Sequence, residues 1–438
     1  MDPGGCKFAR PQNARMSKAS TSTLVVRKIQ EPTPSCCAIK SPSHIGGDDL
    51  MPQRADHQLH VAIATPLGRG GHGGVDRLMW HVADTIKEAD ASVRLHMLVT
   101  RGQGHILGSI YWMLRALATM LCLRATGRID ILHVNVSRRG STYRKIILCA
   151  FARMCGVPYA IHIHDGGYRD YLSKASPALN RRIRRMFAAA RCVIVMAPVW
   201  RNFVIGQIAV LSSRVVVLPS ATPGLPRPTI RKADGHVHIL FLGKLGEEKG
   251  VPQLVEALGR LSQLPNWRAT LAGDGEVQKT REAIATRGLS DRVEIPGWIE
   301  PAGVESLVSH ADMLVLPSLC ENFPMAVIEG MAAGLAVVAT PVGAVADIIE
   351  HEKTGLVVPA GDVTALADAI RRLIEDPALR EELGRQARRF HRANLEMAPY
   401  VNRLCQTWRA VLHGHLNDLN VQPPDARRPQ VLAASSEL

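Results

Sequence analysis

The chain has 438 residues, a formal charge of +14, and 46% hydrophobic against 21% charged residues. The length is too great for one ordinary core, and the composition excludes a disordered or fibrous protein. Nine scattered cysteines without a C-x-x-C pair exclude a zinc ribbon and a dithiol redox motif.

Residues 1–56 are polar and rich in Ser, Thr and Pro without sustained periodicity, which predicts a disordered extension. The early positive charges precede no apolar run of signal-peptide length, so the expected location is the cytoplasm. From residue 57, LHVAIAT leads into the glycine-rich PLGRGGHGG and a helix. The runs VRLHMLVT, DILHVNV, YAIHIH, CVIVMA and VVVLPS follow, with helices between them. Buried strands alternating with helices predict a parallel sheet covered on both faces, here a domain over 57–221.

Two stretches of that domain bear on membranes. Residues 105–124 approach spanning length but carry Arg115 mid-segment, where a charge costs about 2.5–3.5 kcal/mol. They are expected to form a long helix packed in the domain, with interfacial contact as the alternative. Between 138 and 201, thirteen Arg or Lys stand against Asp165 and Asp170. That excess suits a solvated helix face, an anionic membrane surface or a pyrophosphate-linked partner. Nucleic acid fits less well, because no aromatic residues interleave the run RRIRRMF.

The proline-rich TPGLPRP at 222–228 marks a domain break. A second alternation runs from HVHILFLGKL through WRATLAG, VEIPG, MLVLPS and LAVVAT to GLVVP, predicting a second α/β domain over 222–385. One long helix from about 378 to 412 has no strand after it. Its 386–416 portion is expected to pack back on the first domain, and 417–438 is expected to be a flexible tail. Two such sheets place the carboxyl ends of their strands around one cleft, where ligands of open α/β sheets bind.

The strand-to-helix loops carry the chemistry. Gly68, Gly70 and Gly73 have G-x-G-x-x-G spacing, but a nicotinamide site also wants an acid after the second strand, where Arg101 and Gly102 stand. What survives is that Gly73 and Gly74 let backbone amides approach a phosphate. In FLGKLGEEKG, Lys244 and Lys249 follow a buried strand and suit a diphosphate or a solvated surface. In MLVLPSLCENFPMAVIEGMAAG, Glu321 falls in the loop after a strand, and Glu329 in the second turn of a helix entered at Pro324. The amides near Asn322 and Phe323 then face a ligand lying across that helix start.

The run from Glu321 to Glu329, with Phe323, Pro324 and MAAG, resembles the signature of retaining family 4 glycosyltransferases of the GT-B fold. GGVDR at 73–77, the HIHDGG segment around His164, GKLGEEKG, LAGDGE and GLVVPAGD resemble the same family in the same order. The resemblance covers roughly 58–410. It implies two Rossmann-like domains facing across a cleft with a C-terminal crossover helix, and an enzyme that moves a hexose from a nucleoside diphosphate sugar without a metal or other cofactor. It further implies that Glu329 holds the ribose and that Glu321, with the Asn322 and Phe323 amides, holds the sugar and its phosphates. Lys249 and Lys244 would pair with the diphosphate, Gly73 and Gly74 would close on the donor, and His164 would lie near the donor sugar.

The first half resembles the branch that builds bacterial exopolysaccharides on a lipid diphosphate carrier. That implies a lipid-linked saccharide acceptor, with Arg138, Arg139, Arg144 and Lys145 facing anionic groups at the inner leaflet and no nucleic-acid partner. A sugar-nucleotide epimerase or hydrolase of the same shape, and a nicotinamide-dependent oxidoreductase, are the rival readings.

Overall fold

The computed structural model describes residues 58–69, 74–89, 92–103, 108–225 and 235–416. The predicted disordered extension, the tail from 417, and Gly70 and Gly73 of the first loop lie outside the described residues.

Twelve strands form in the described residues. They are β1 (Leu59–Thr65), β2 (Val93–Val99), β3 (Ile131–Val136), β4 (Tyr159–Ile163), β5 (Cys192–Val195), β6 (Val215–Val217), β7 (Val237–Leu242), β8 (Trp267–Ala272), β9 (Val293–Gly297), β10 (Met313–Leu316), β11 (Ala336–Ala339) and β12 (Leu356–Val357). The first six make one sheet in the order β2-β1-β3-β4-β5-β6, and the last six a second in the order β12-β11-β10-β7-β8-β9. The pairings within each sheet are parallel. Strands β3, β4 and β10 are buried along their whole length, as continuous apolar runs require when helices cover both faces. Both sheets are thus Rossmann-like, and both belong to a single compact unit.

Alternation along the strands separates two cores. Leu132, Val134, Ile161 and Ile163 face one side, in a cluster that continues into the second sheet. Val61, Ile131, Ala160 and Cys192 face the other, where the covering residues include Met397, Tyr400, Val401, Leu404 and Trp408. The last described helix, Met397–His413, therefore covers the first sheet. Each fully buried Leu, Val or Met of that kind contributes about 1.5–3 kcal/mol.

The expected single helix over 378–412 is two helices. Pro377–Asn394 packs against the helix Met325–Ala333 and β11, and only Met397–His413 covers the first sheet. The break falls at Leu395 and Glu396, where Thr222 bridges Glu396 and its amide donates to Leu395 O. The crossing thus begins at 397 rather than 386, beside the earlier passage of the chain between the sheets. His391, fully buried at that crossing, lies with Nε2 2.9 Å from Thr222 Oγ1.

Candidate active site

Glu321 sits at the carboxyl end of β10, and Lys249 ends a single turn after β7, a neighbouring strand in the second sheet. The two loops are tied by backbone bonds, since Leu319 N and Cys320 N both donate to Glu248 O. Lys249 Nζ then donates to Glu321 Oε1 at 2.6 Å, and Ser318 Oγ donates to the same oxygen at 2.8 Å. The carboxylate side chain is only 7% exposed and the lysine 27%. Burying a carboxylate is costly unless polar partners meet it, and here an ammonium and a hydroxyl both do.

Gly343 lets a further loop press on this one. Its φ is +61°, and a Cβ there would stand 2.4 Å from Glu321 O. Ala344 N donates to Asn322 O at 3.0 Å, so the Glu321–Asn322 loop is clamped from behind. The Phe323 side chain is buried in the core, leaving only its backbone for a ligand.

Glu329 lies where the sequence pattern put it, in the second turn of Met325–Ala333. The structure does not pair it with Glu321. Its Oε1 is 3.6 Å from Arg77 Nη1, on the helix Gly74–Ala89 that follows β1. Burial pushes the Glu329 carboxyl up, and the Arg77 guanidinium opposes that shift. Arg77 was visible in the sequence only as part of GGVDR; its partner across the cleft was not.

His164 follows β4 in the first sheet, with Nε2 2.8 Å from Asn135 Oδ1 of β3. Burial and the neighbouring His133 hold its pKa down at about 3. Two residues on, a Cβ at Gly166 would lie 2.9 Å from Asn322 Cβ and 3.0 Å from Glu321 O. The loop after β4 therefore touches the loop after β10 directly. Asp165 accepts from the amides of Arg138 and Gly167, and its Oδ2 lies 3.2 Å from Arg138 Nε.

Lys244 is exposed in the loop after β7, which is held to the LAGDGE segment by the bonds Leu245 N to Asp274 O and Glu276 N to Leu245 O. Gly74 opens the first helix, and Asp76 in its first turn accepts from Leu67 N at 3.1 Å and Gly68 N at 3.0 Å.

Lys145 requires a correction. It is 1% exposed and its Nζ donates to Thr100 Oγ1 at 2.8 Å, so it cannot face a membrane or a carrier. Burial brings its pKa down to about 7. Of the other three expected cations, Arg138 is paired with Asp165, Arg144 is half-buried and Arg139 is exposed. The helix Gly108–Ala125 also differs from expectation. Its buried residues are Met113, Ala116 and Met120 only, and Ile110, Tyr111 and Leu114 are each 61% exposed. Among the described residues, no helix is long and apolar enough to cross a membrane, and no three His, Cys, Asp or Glu side chains group as metal ligands.

The glycosyl transferase 4-like domain family matches residues 49–221, and the glycosyl transferases group 1 family matches 225–390. Together they cover both sheets and every site residue above. The chain belongs to family 4 of the glycosyltransferases, with the GT-B fold. This glycosyltransferase is 27% identical over 326 residues to the alpha-D-kanosaminyltransferase of Streptomyces kanamyceticus, covering 69% of this chain and 82% of that one. Its fold is similar to that of a sucrose-phosphate synthase from Thermosynechococcus elongatus, with a TM-score of 0.67 at 20% identity, covering 81% and 100% of the two chains. It is also similar to HepE of Anabaena in complex with UDP-glucose, with a TM-score of 0.62 at 18% identity over 80% and 99%.

Proposed function

We propose that the enzyme transfers a hexose, with retention of anomeric configuration and without a metal, from a nucleoside diphosphate sugar to a saccharide acceptor carried on a lipid diphosphate. The observation that carries the donor half is that the loops holding Lys249, Glu321 and His164 touch one another, with Glu329 on the helix entered from the Glu321 loop. Breaking the bond from sugar to diphosphate builds positive charge on the anomeric carbon and negative charge on the leaving phosphate. In this reading Lys249 and Lys244, with the amides at the start of Met325–Ala333, receive the negative charge. Glu321 meets the sugar hydroxyls from the other end of the same loop, and Glu329 takes the ribose hydroxyls. HepE binds UDP-glucose on the same fold, which favours a uridine donor here. Donor binding is tested by thermal unfolding with UDP-, GDP- and ADP-sugars. A donor at 100 times its Kd adds about 2.7 kcal/mol of stability, and absence of stabilisation by all three sinks the reading. Product analysis separates transfer from epimerisation and hydrolysis.

The acceptor half rests on the first sheet's outer helices. Ile110, Tyr111, Leu114 and Leu121 are exposed on Gly108–Ala125, and Ile147 and Met154 on Gly140–Met154. Arg115 and Arg139 lie on or beside these helices in a chain of charge +14. Apolar side chains bordered by arginine suit an anionic lipid surface at the cytoplasmic face of a membrane. Ile110, Leu114 and Leu121 changed together to Ser should abolish partition to anionic vesicles while leaving donor binding intact. Unchanged partition would remove the membrane from the proposal.

A further inference from the structure

His164 is the last of a row of polar side chains on one face of the first sheet. Alternation puts His133 and Asn135 of β3 on the face that carries Ile131, and His162 and His164 on the face that carries Ala160. That face is covered by the crossover helix Met397–His413, whose Trp408 is fully buried. Trp408 Nε1 lies 3.1 Å from His133 Nδ1, His133 Nε2 lies 3.3 Å from Asn135 Oδ1, and His164 Nε2 lies 2.8 Å from that same oxygen. Asn135 Nδ2 donates to Ala64 O at 3.2 Å.

Each link has only one direction. An indole N–H donates and never accepts, so His133 Nδ1 bears the lone pair and Nε2 bears the proton. A backbone carbonyl only accepts, so the Asn135 atom facing Ala64 is the amide nitrogen, and the oxygen faces the two imidazoles. Asn135 Oδ1 then accepts from His133 Nε2–H and also from His164 Nε2–H.

We infer that Asn135, oriented by His133 and anchored by Trp408 of the crossover helix, is a positioning residue that fixes His164 as the neutral Nε2–H tautomer and leaves Nδ1 as an acceptor for a sugar hydroxyl. This rests on the reading of His164 as a site residue and sharpens it. A neutral imidazole with a bare Nδ1 accepts a hydrogen bond from a hydroxyl group and gives nothing to an anionic phosphate oxygen. A side chain on the last described helix, Met397–His413, thereby sets the chemistry of a histidine that follows β4. Hydrogen-bonded partners of this kind decide which imidazole nitrogen is free to work. His162, whose ring centroid is 4.0 Å from that of His164, adds burial but no hydrogen bond, since both its nitrogens are buried without a partner.

The test is the ring-nitrogen NMR spectrum of the full chain labelled at histidine, with the His164 signals assigned through His164→Gln. In the wild type at neutral pH, His164 should show a protonated Nε2 and a bare Nδ1. Trp408→Phe keeps an aromatic ring but removes the N–H, so His133 loses its fixed tautomer and the His164 signals should broaden or split. Asn135→Leu removes the shared acceptor and should shift His164 toward a mixture of tautomers. A wild-type His164 protonated at Nδ1 overturns the inference, as do His164 signals that neither variant moves. Should a variant fail to fold, the wild-type spectrum and the other variant still decide. The readout is independent of turnover: an active His164→Gln enzyme would remove His164 from the proposed function while leaving the tautomer result standing.

Discussion

Arg77 of the helix after β1 and Glu329 of the helix after β10 face each other with 3.6 Å between guanidinium and carboxylate. The residue proposed to grip the ribose is therefore already engaged by the opposite half of the molecule. Glu329→Gln should weaken binding of the cognate nucleotide by about 10- to 100-fold, the range for a lost hydrogen bond to a charged group. Arg77→Ala should cost less than about tenfold, because it removes a competitor of the ribose together with a cross-cleft contact. Titration calorimetry with the nucleotide found by the sugar screen decides this. Equal losses in the two variants would contradict the assignment.

The pairing of Lys249 with Glu321 has a different signature. Lys249→Met leaves a carboxylate of 7% exposure with Ser318 as its remaining side-chain partner. Unfolding stability should fall by about 1–3 kcal/mol, the usual cost of an uncompensated buried polar group. In Lys249→Met/Glu321→Gln much of that loss should return while turnover stays lost. A double variant as unstable as the single one would show that the pair is not the source of the cost.

Two glycines test the clamp around the Glu321 loop. Gly343→Ala meets Glu321 O at 2.4 Å and has positive φ, so the loop must move whichever way the strain is relieved. Gly166→Ala meets Asn322 and Glu321 from the opposite sheet. The first should impair both stability and donor affinity. The second should raise KM for the donor with a small change in the unfolding midpoint, because its strain disappears when the two halves separate slightly. Identical behaviour of the two would count against this account.

Acid stability follows from the buried histidines. Burial holds His133 and His391 at about 4 and His164 at about 3, with His162 also well below its ordinary value. In the unfolded chain these groups titrate near 6.5, so between about 6.5 and 4 the unfolded state binds more protons and stability falls as pH falls. The limiting slope is about 1.4 kcal/mol per pH unit for each histidine. Asp76, Glu329 and Asp347 are raised by burial and oppose this trend, because their folded forms take up protons first on acidification. Denaturant unfolding at pH 7.5, 6 and 5 should show a net decline that is shallower in His391→Gln. A flat profile would refute it.

Much of the fold was legible because parallel strands buried on both faces must be written as continuous apolar runs; DILHVNV and MLVLPS are such runs. The positions of Glu321, in the loop after β10, and Glu329, in the second turn of the following helix, were legible because spacing fixes them. What failed depended on a second surface. Lys145 looked like a free cation because its charge was counted and its stripe was not: Thr142, Lys145, Leu148, Cys149 and Ala152 share the buried face of one helix, a 3.6-residue period that could have revealed it. Gly108–Ala125 is apolar nearly all round, which does not say whether protein or lipid covers it. The break at Leu395 and Glu396 meets Thr222, more than 170 residues earlier, and Pro399 inside the expected helix was the local signal for it. Arg77 facing Glu329 is a property of how two sheets meet.

The crossover helix also has a consequence in time. The face of the first sheet that it covers is complete as a chain once Leu218 has been made, yet Trp408 and Val411 arrive about 190 residues later, roughly 10–40 s at ordinary rates of synthesis. Until then the helix Gly74–Ala89, through Leu78, Met79, Val82 and Ile86, is the part of that cover already made. The helix Met397–His413 therefore completes the cover of the first sheet only after the rest of that sheet has been made.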